Sequence, residues 1–73
     1  SEGTVGYDVS SLVGLDAIVE DRIYRNSCGK VKCSINGTSV WHNARSVDGG
    51  QIEKGATVRV EKVVGNTLYV VSK

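Results

Sequence analysis

Residues 30–41 read KVKCSINGTSVW, and this stretch decides the fold. Lys30, Lys32 and Ser34 alternate with Val31, Cys33 and Ile35, the period-two pattern of a strand with one buried and one wet face. Asn36-Gly37 follows, the strongest two-residue hairpin signal, because both central positions of a type I′ turn need positive φ. A second extended run, about residues 38–44, returns from the turn and carries the only Trp of the chain. With a two-residue turn, Ile35 sits opposite Thr38, Cys33 opposite Val40 and Val31 opposite His42. Directly opposed residues share a face. Cys33 and Val40 therefore go to the core, and Lys32 meets Trp41 outside. That places a cation beside an indole, worth ~0.5–1 kcal/mol when exposed.

The same alternation extends in both directions from the hairpin. Ala17, Val19 and Ile23 mark a first strand over about residues 15–24, with Glu20 and Arg22 interleaved. Arg25-Asn26-Ser27-Cys28-Gly29 is a turn cluster. Asp48-Gly49-Gly50 and Lys54-Gly55 bracket a polar loop in which Ile52 alone is apolar, a residue expected to plug the barrel's end. Val58 and Val60 resume the inward pattern, but Lys62 then falls on the inner parity. A bulge there restores order, and small barrels need such kinks to close. Gly65-Asn66 suits a type II′ turn, after which Leu68 and Val70 face inward and Tyr69 outward. No segment has helical periodicity, although Val9–Leu15 has room for one short capping turn.

Five short strands with tight hairpins at 2–3 and 4–5 and a longer 3–4 connection predict an all-β, five-stranded OB-like Greek-key barrel without a significant helix. An SH3-like barrel is the alternative. Ser46–Gly55 is too short and Gly-rich for the helix that often fills the 3–4 connection of OB folds. The reading divides the chain into a flexible lead-in over residues 1–8 and a barrel domain over 9–73.

A 73-residue chain forms one domain that buries only roughly 60% of its unfolded surface, leaving no room for a sizeable internal cavity. Nine basic against eight acidic side chains give a net charge of +1, which creates no overall field for phosphate or anionic lipid. No apolar run approaches the ~18 residues of a spanning helix, and no signal-peptide pattern is present. Ser1 stands where an initiator Met is absent, so the chain reads as a piece of a larger parent. Cys28 and Cys33 are too few for a disulfide framework and lack the C-x-x-C spacing. They read as free thiols in a reducing compartment, which favours the cytoplasm.

The candidate interaction face is Lys30, Lys32, Trp41 and Arg45. The plainer reading is a Trp covering a sheet face with the Lys stem across it. The sharper one is the oligonucleotide-binding face of OB folds, with Tyr24, Arg22 and Arg25 added from the neighbouring loop. Near-neutral charge, few aromatics and no Phe argue against nucleic acid. His42 is the only histidine and reads as a rim or satisfied core residue; with Cys28 and Cys33 it falls short of a four-ligand zinc site. The serines have no G-x-S-x-G setting, and Gly49-Gly50 is no phosphate cradle. The expectation is a chain without catalytic residues, cofactor or metal.

Taken in order, LVGLDAIV (12–19), CGKVKCSING (28–37), Trp41 with Ala44-Arg45-Ser46, and IEKGATVRVEKVVGNTLYV (52–70) resemble the C-terminal soluble domain of NfeD-like membrane proteins, the stomatin-operon partner proteins. The likeness runs from about Leu12 onward. It implies an OB-like barrel attached to transmembrane helices in a full-length parent at the cell membrane. It also implies a non-enzymatic interaction module that works with flotillin-, stomatin- or prohibitin-like scaffold proteins. Long forms of the family add a serine-protease domain, whose motifs this chain lacks. The competing function is a single-stranded nucleic-acid-binding OB module.

Overall fold

The computed structural model describes residues 6–73, so most of the 1–8 lead-in lies outside the described residues. A short 3-10 turn, η1 (Val9–Leu12), precedes five strands: β1 (Asp16–Asp21), β2 (Gly29–Ile35), β3 (Thr38–Ser46), β4 (Thr57–Val64) and β5 (Thr67–Ser72). They close into a barrel in the order β1-β2-β3-β5-β4, with β4 returning to β1. Among the described residues only the β3–β5 pairing is parallel. This is the OB-like, all-β architecture, without a significant helix among the described residues.

The β2–β3 hairpin has the register that its turn dictates. Ile35 pairs with Thr38, Cys33 with Val40, Lys32 with Trp41 and Val31 with His42. Asn36 and Gly37 have φ of 51° and 80°, as a type I′ turn requires. In β4 the register shifts between Val60 and Lys62. That bulge turns Lys62 outward and lets Val63 pack against the core.

Inward side chains of the strands, among them Val19, Val31, Ala44, Val58, Leu68 and Val70, fill the interior. Each barrel end has its own plug. Leu12 of η1, fully buried, closes the end where β1 starts. Asp8 caps this turn through the Ser10 N–H at 3.0 Å, which holds its carboxyl below the ordinary range. At the other end Ile52 is buried and forms an isolated bridge with Ile23, each N–H donating to the other's carbonyl at 2.9 Å.

Two strand boundaries differ from the sequence reading. The first strand stops at Asp21 rather than near residue 24, because a register shift between Val19 and Asp21 ends its ladder with β2. Ile23 is still inward, but it is held by the bridge to Ile52 rather than by a continuous strand. The third strand runs on to Ser46 rather than stopping near residue 44, because β5 lies parallel to Ala44, Arg45 and Ser46 and supplies them with partners.

Candidate functional site

The outer surface of β1, β2 and β3 carries a row set by strand register: Ile18 lies beside Lys32, and Lys32 beside Trp41. Trp41 is 52% exposed, so it stands on the outside as its strand parity demands. Lys30 lies one step along, opposite Asn43. Beside this row, ladder pairing between β1 and β2 ends at Ile18 and Lys32, and a mainly apolar surface groove of about 160 Å³ opens between Ala17, Ile18, Cys33 and Ser39.

The cation–indole contact expected from this register is replaced by an ion pair. The Lys32 ammonium leans toward Glu20, with 4.0 Å between nitrogen and oxygen. Exposed ion pairs and exposed cation–ring contacts are of similar size, ~0–1 kcal/mol, so neither holds the ammonium firmly. The cation–aromatic contacts among the described residues are Arg22 over Tyr24 at 5.2 Å and Lys62 over Tyr69 at 5.1 Å.

Arg45 faces outward on β3 but is fastened to the 22–28 loop. It donates to the Asn26 carbonyl at 3.0 Å and reaches the Cys28 sulfur at 3.5 Å. Arg22 is paired with Glu53 at 2.9 Å and donates to the Tyr24 hydroxyl at 3.2 Å. Its guanidinium is raised above its ordinary range, mainly by Glu53. Glu53 in turn lies below the carboxylate range, first through the amide of Gln51 and then through Arg22. The residues grouped from sequence are thus dispersed. Lys30, Lys32 and Trp41 share the face, Arg45 marks its upper edge, and Arg22 and Tyr24 gird the barrel mouth.

One cluster escaped the sequence reading. Tyr69 lies between Arg45, its parallel neighbour, and Lys62, its antiparallel one. Beside this row is a polar surface cleft of about 360 Å³ lined by Asn26, Ser27, Arg45, Asp48, Gly49 and Tyr69. Outward parity of Tyr69 was legible and Lys62 lies across its own hairpin, but Arg45 is brought beside it by a parallel pairing that no turn residue announces. The cleft wall is rigidly tied: Asn26 donates its N–H to the Gly49 carbonyl at 2.9 Å. A Cβ on Gly49 would stand 2.5 Å from Asn26 Oδ1, and its φ is 79°, so glycine is required there. Asp48 accepts from the Ser46 hydroxyl at 2.5 Å and the Gly50 N–H at 2.8 Å, which together hold its carboxyl below the usual range.

His42 is half-buried, its Nε2 hydrogen-bonded to the Tyr7 hydroxyl and its ring set edge-on to the tyrosine. Cys33 is buried, and burial pushes its thiol up; Cys28 is exposed. Among the described residues no three His, Cys, Asp or Glu side chains converge as metal ligands would.

Residues 9–71 match the family model of the NfeD-like C-terminal, partner-binding domain. The chain belongs to this NfeD-like family. It is similar to the C-terminal domain of stomatin operon partner protein 1510-C from Pyrococcus horikoshii, at 35% identity over 86% of this chain and 89% of that one, with a TM-score of 0.68. It is similar also to the soluble domain of the NfeD protein YuaF from Bacillus subtilis, at 27% identity, covering 97% and 84% of the two chains with a TM-score of 0.81. A third relative is the soluble domain of a Corynebacterium glutamicum membrane protein implicated in regulation of membrane protease activity. It shares 30% identity over 82% of this chain and 89% of that one, with a TM-score of 0.68. The comparison with curated proteins found no match. No helix among the described residues is long and apolar enough to cross a membrane. The NfeD-like assignment makes the chain a partner-binding, protein-interaction domain.

Proposed function

We propose that this NfeD-like domain is a non-catalytic docking module that binds a flotillin-, stomatin- or prohibitin-type scaffold protein through the outer face of β2 and β3. In this reading it is the soluble, cytoplasmic part of a membrane protein. The observation that carries the reading is Trp41, an indole held half in water on a well-paired sheet, in register with Lys32 and Ile18 and beside an apolar groove. Indoles placed this way are enriched among interface hot spots. The names of the relatives support the partner class, one being a stomatin operon partner protein. The filled interior supports a role without chemistry, as do the engagement of His42 by Tyr7 and the burial of Cys33.

The test is capture of a flotillin- or stomatin-type protein from a strain that makes one, by immobilised wild-type and Trp41→Ala chains. The variant should keep its far-UV spectrum and lose about thirtyfold or more in affinity for the partner, the ~2 kcal/mol threshold of a hot spot. A folded Trp41→Ala chain that captures as well as wild type sinks the assignment of this face. Loss of the fold in the same variant would show that the Trp41 ring holds the sheet face together rather than waiting for a partner.

A further inference from the structure

The row Arg45–Tyr69–Lys62 spans three adjacent strands and is rich in donors. Arg45 has five N–H donors, of which the structure occupies two, with the Asn26 carbonyl and the Cys28 sulfur. Neither acceptor is a carboxylate, so the positive charge is not neutralised there. The Lys62 ammonium lies over the Tyr69 ring, with no carboxylate paired to it among the described residues. Its chain neighbour Glu61 is instead drawn to Arg59 at 2.8 Å. Asp48, on the far side of the cleft, spends one carboxylate oxygen on Ser46 and Gly50. Two cations flanking a phenol therefore present donors, with few acceptors among them, beside a 360 Å³ cleft.

We propose that the Arg45–Tyr69–Lys62 row is a subsite for an extended acidic segment of the protein partner, continuous along β3 with the Trp41 face. This rests on the docking reading above and adds the partner's chemistry. Neighbouring strands stand about 4.8 Å apart, so the backbones bearing Arg45 and Lys62 are separated by roughly 10 Å. An extended chain advances about 6.6 Å between residues two apart, whose side chains share a face, and the long Arg and Lys stems reach across the remainder. Asp or Glu side chains at such spacing meet both cations, with Tyr69 under the residue between. Carboxylate contacts of this kind are charge-assisted and stronger than neutral hydrogen bonds. A nucleic-acid strand fits less well. Lys62 already covers a face of the Tyr69 ring, which leaves less of it for a base to stack on. A peptide places its charges only where the cations are.

The experiment is fluorescence anisotropy of the 73-residue chain with three labelled probes: the peptide Glu-Leu-Glu-Glu-Leu-Glu, its Gln-for-Glu counterpart, and a ten-nucleotide oligo-dT. The acidic peptide should bind tightest and weaken with added salt. Lys62→Gln should weaken it about fivefold and Arg45→Gln at least as much, whereas Lys54→Gln, remote on the loop before β4, should change it less than about twofold. Equal binding of the two peptides overturns the proposal. So does an equal loss with Lys54→Gln, and so does tighter binding of oligo-dT, which would instead mark a nucleic-acid site. In the scaffold capture above, Lys62→Gln should also lose partner. Undiminished capture by that variant beside failure of Trp41→Ala would refute the acidic subsite and leave the docking face standing.

Discussion

Ile52 supplies the sharpest check on how this barrel is closed. It is the sole large apolar side chain between Asp48 and Gly55, yet it is only 6% exposed and is bridged to fully buried Ile23. Ile52→Ala removes three buried carbons, or about 2.4 kcal/mol at ~0.8 kcal/mol for each. A cavity adds to this, but a loop relaxes more readily than a strand, so a total of about 2–3.5 kcal/mol is expected, in the lower part of the observed range for such truncations. Domains of this size have only roughly 4–11 kcal/mol in all. A melting temperature lower by about 8–28 °C should follow, at the 4–8 °C per kcal/mol typical of small domains. Ile52→Val should cost about 0.5–1.5 kcal/mol. Because opposed side chains share one space, Ile23→Ala and the double variant should be non-additive by about 0.5 kcal/mol or more. Thermal melts and urea titrations followed by circular dichroism read all four variants. An Ile52→Ala chain that melts within about 3 °C of wild type would refute the plug.

Gly29→Ala should cost about 1–3 kcal/mol in a urea titration, because its Cβ would lie 2.5 Å from the Asp21 carbonyl oxygen and 2.6 Å from that of Arg22, both backbone atoms that cannot swing aside. With a thiol-specific chromogenic reagent, Cys28 should react at once in the native chain and Cys33 only on unfolding, since Cys33 is buried and its thiol is pushed up; two fast thiols would contradict this. Asp48 has a lowered folded-state pKa, so its stabilisation is present above the unfolded carboxylate value of about 3.9 and is lost as pH falls through the folded one. Urea midpoints should therefore drop on acidification from pH 6 to pH 3, and Asp48→Asn should lessen that drop. The buried Cys33 thiol has the opposite sign: its contribution is full below the thiol range near 8.5 and falls as pH rises beyond it.

What was legible in the chain rested on local rules. Strand parity and the Asn36-Gly37 turn specify every pair of the β2–β3 hairpin, because a two-residue turn leaves one register in which both strands bury their apolar face. The misplaced Lys62 announces a bulge for the same reason, since no strand runs a charge through a core that a one-residue kink would spare. Ile52 betrays itself as a plug by being apolar where everything near it is polar. These signals sit within a few residues of what they determine.

Only the closed barrel decided the rest, because these contacts depend on strand pairings and side-chain choices that no two-residue turn dictates. The β3–β5 parallel pairing lengthens β3 and sets Arg45 beside Tyr69, completing a row that the β4–β5 hairpin begins with Lys62. The β1–β2 pairing brings Glu20 within 4.0 Å of Lys32, a neighbour that the β2–β3 hairpin alone does not supply. Tyr7 reaching across to His42 is of the same kind. Periodicity tells which side of a strand a residue occupies. Which neighbours share that side is a property of the order in which the strands close, and that order follows from burying all five apolar faces at once.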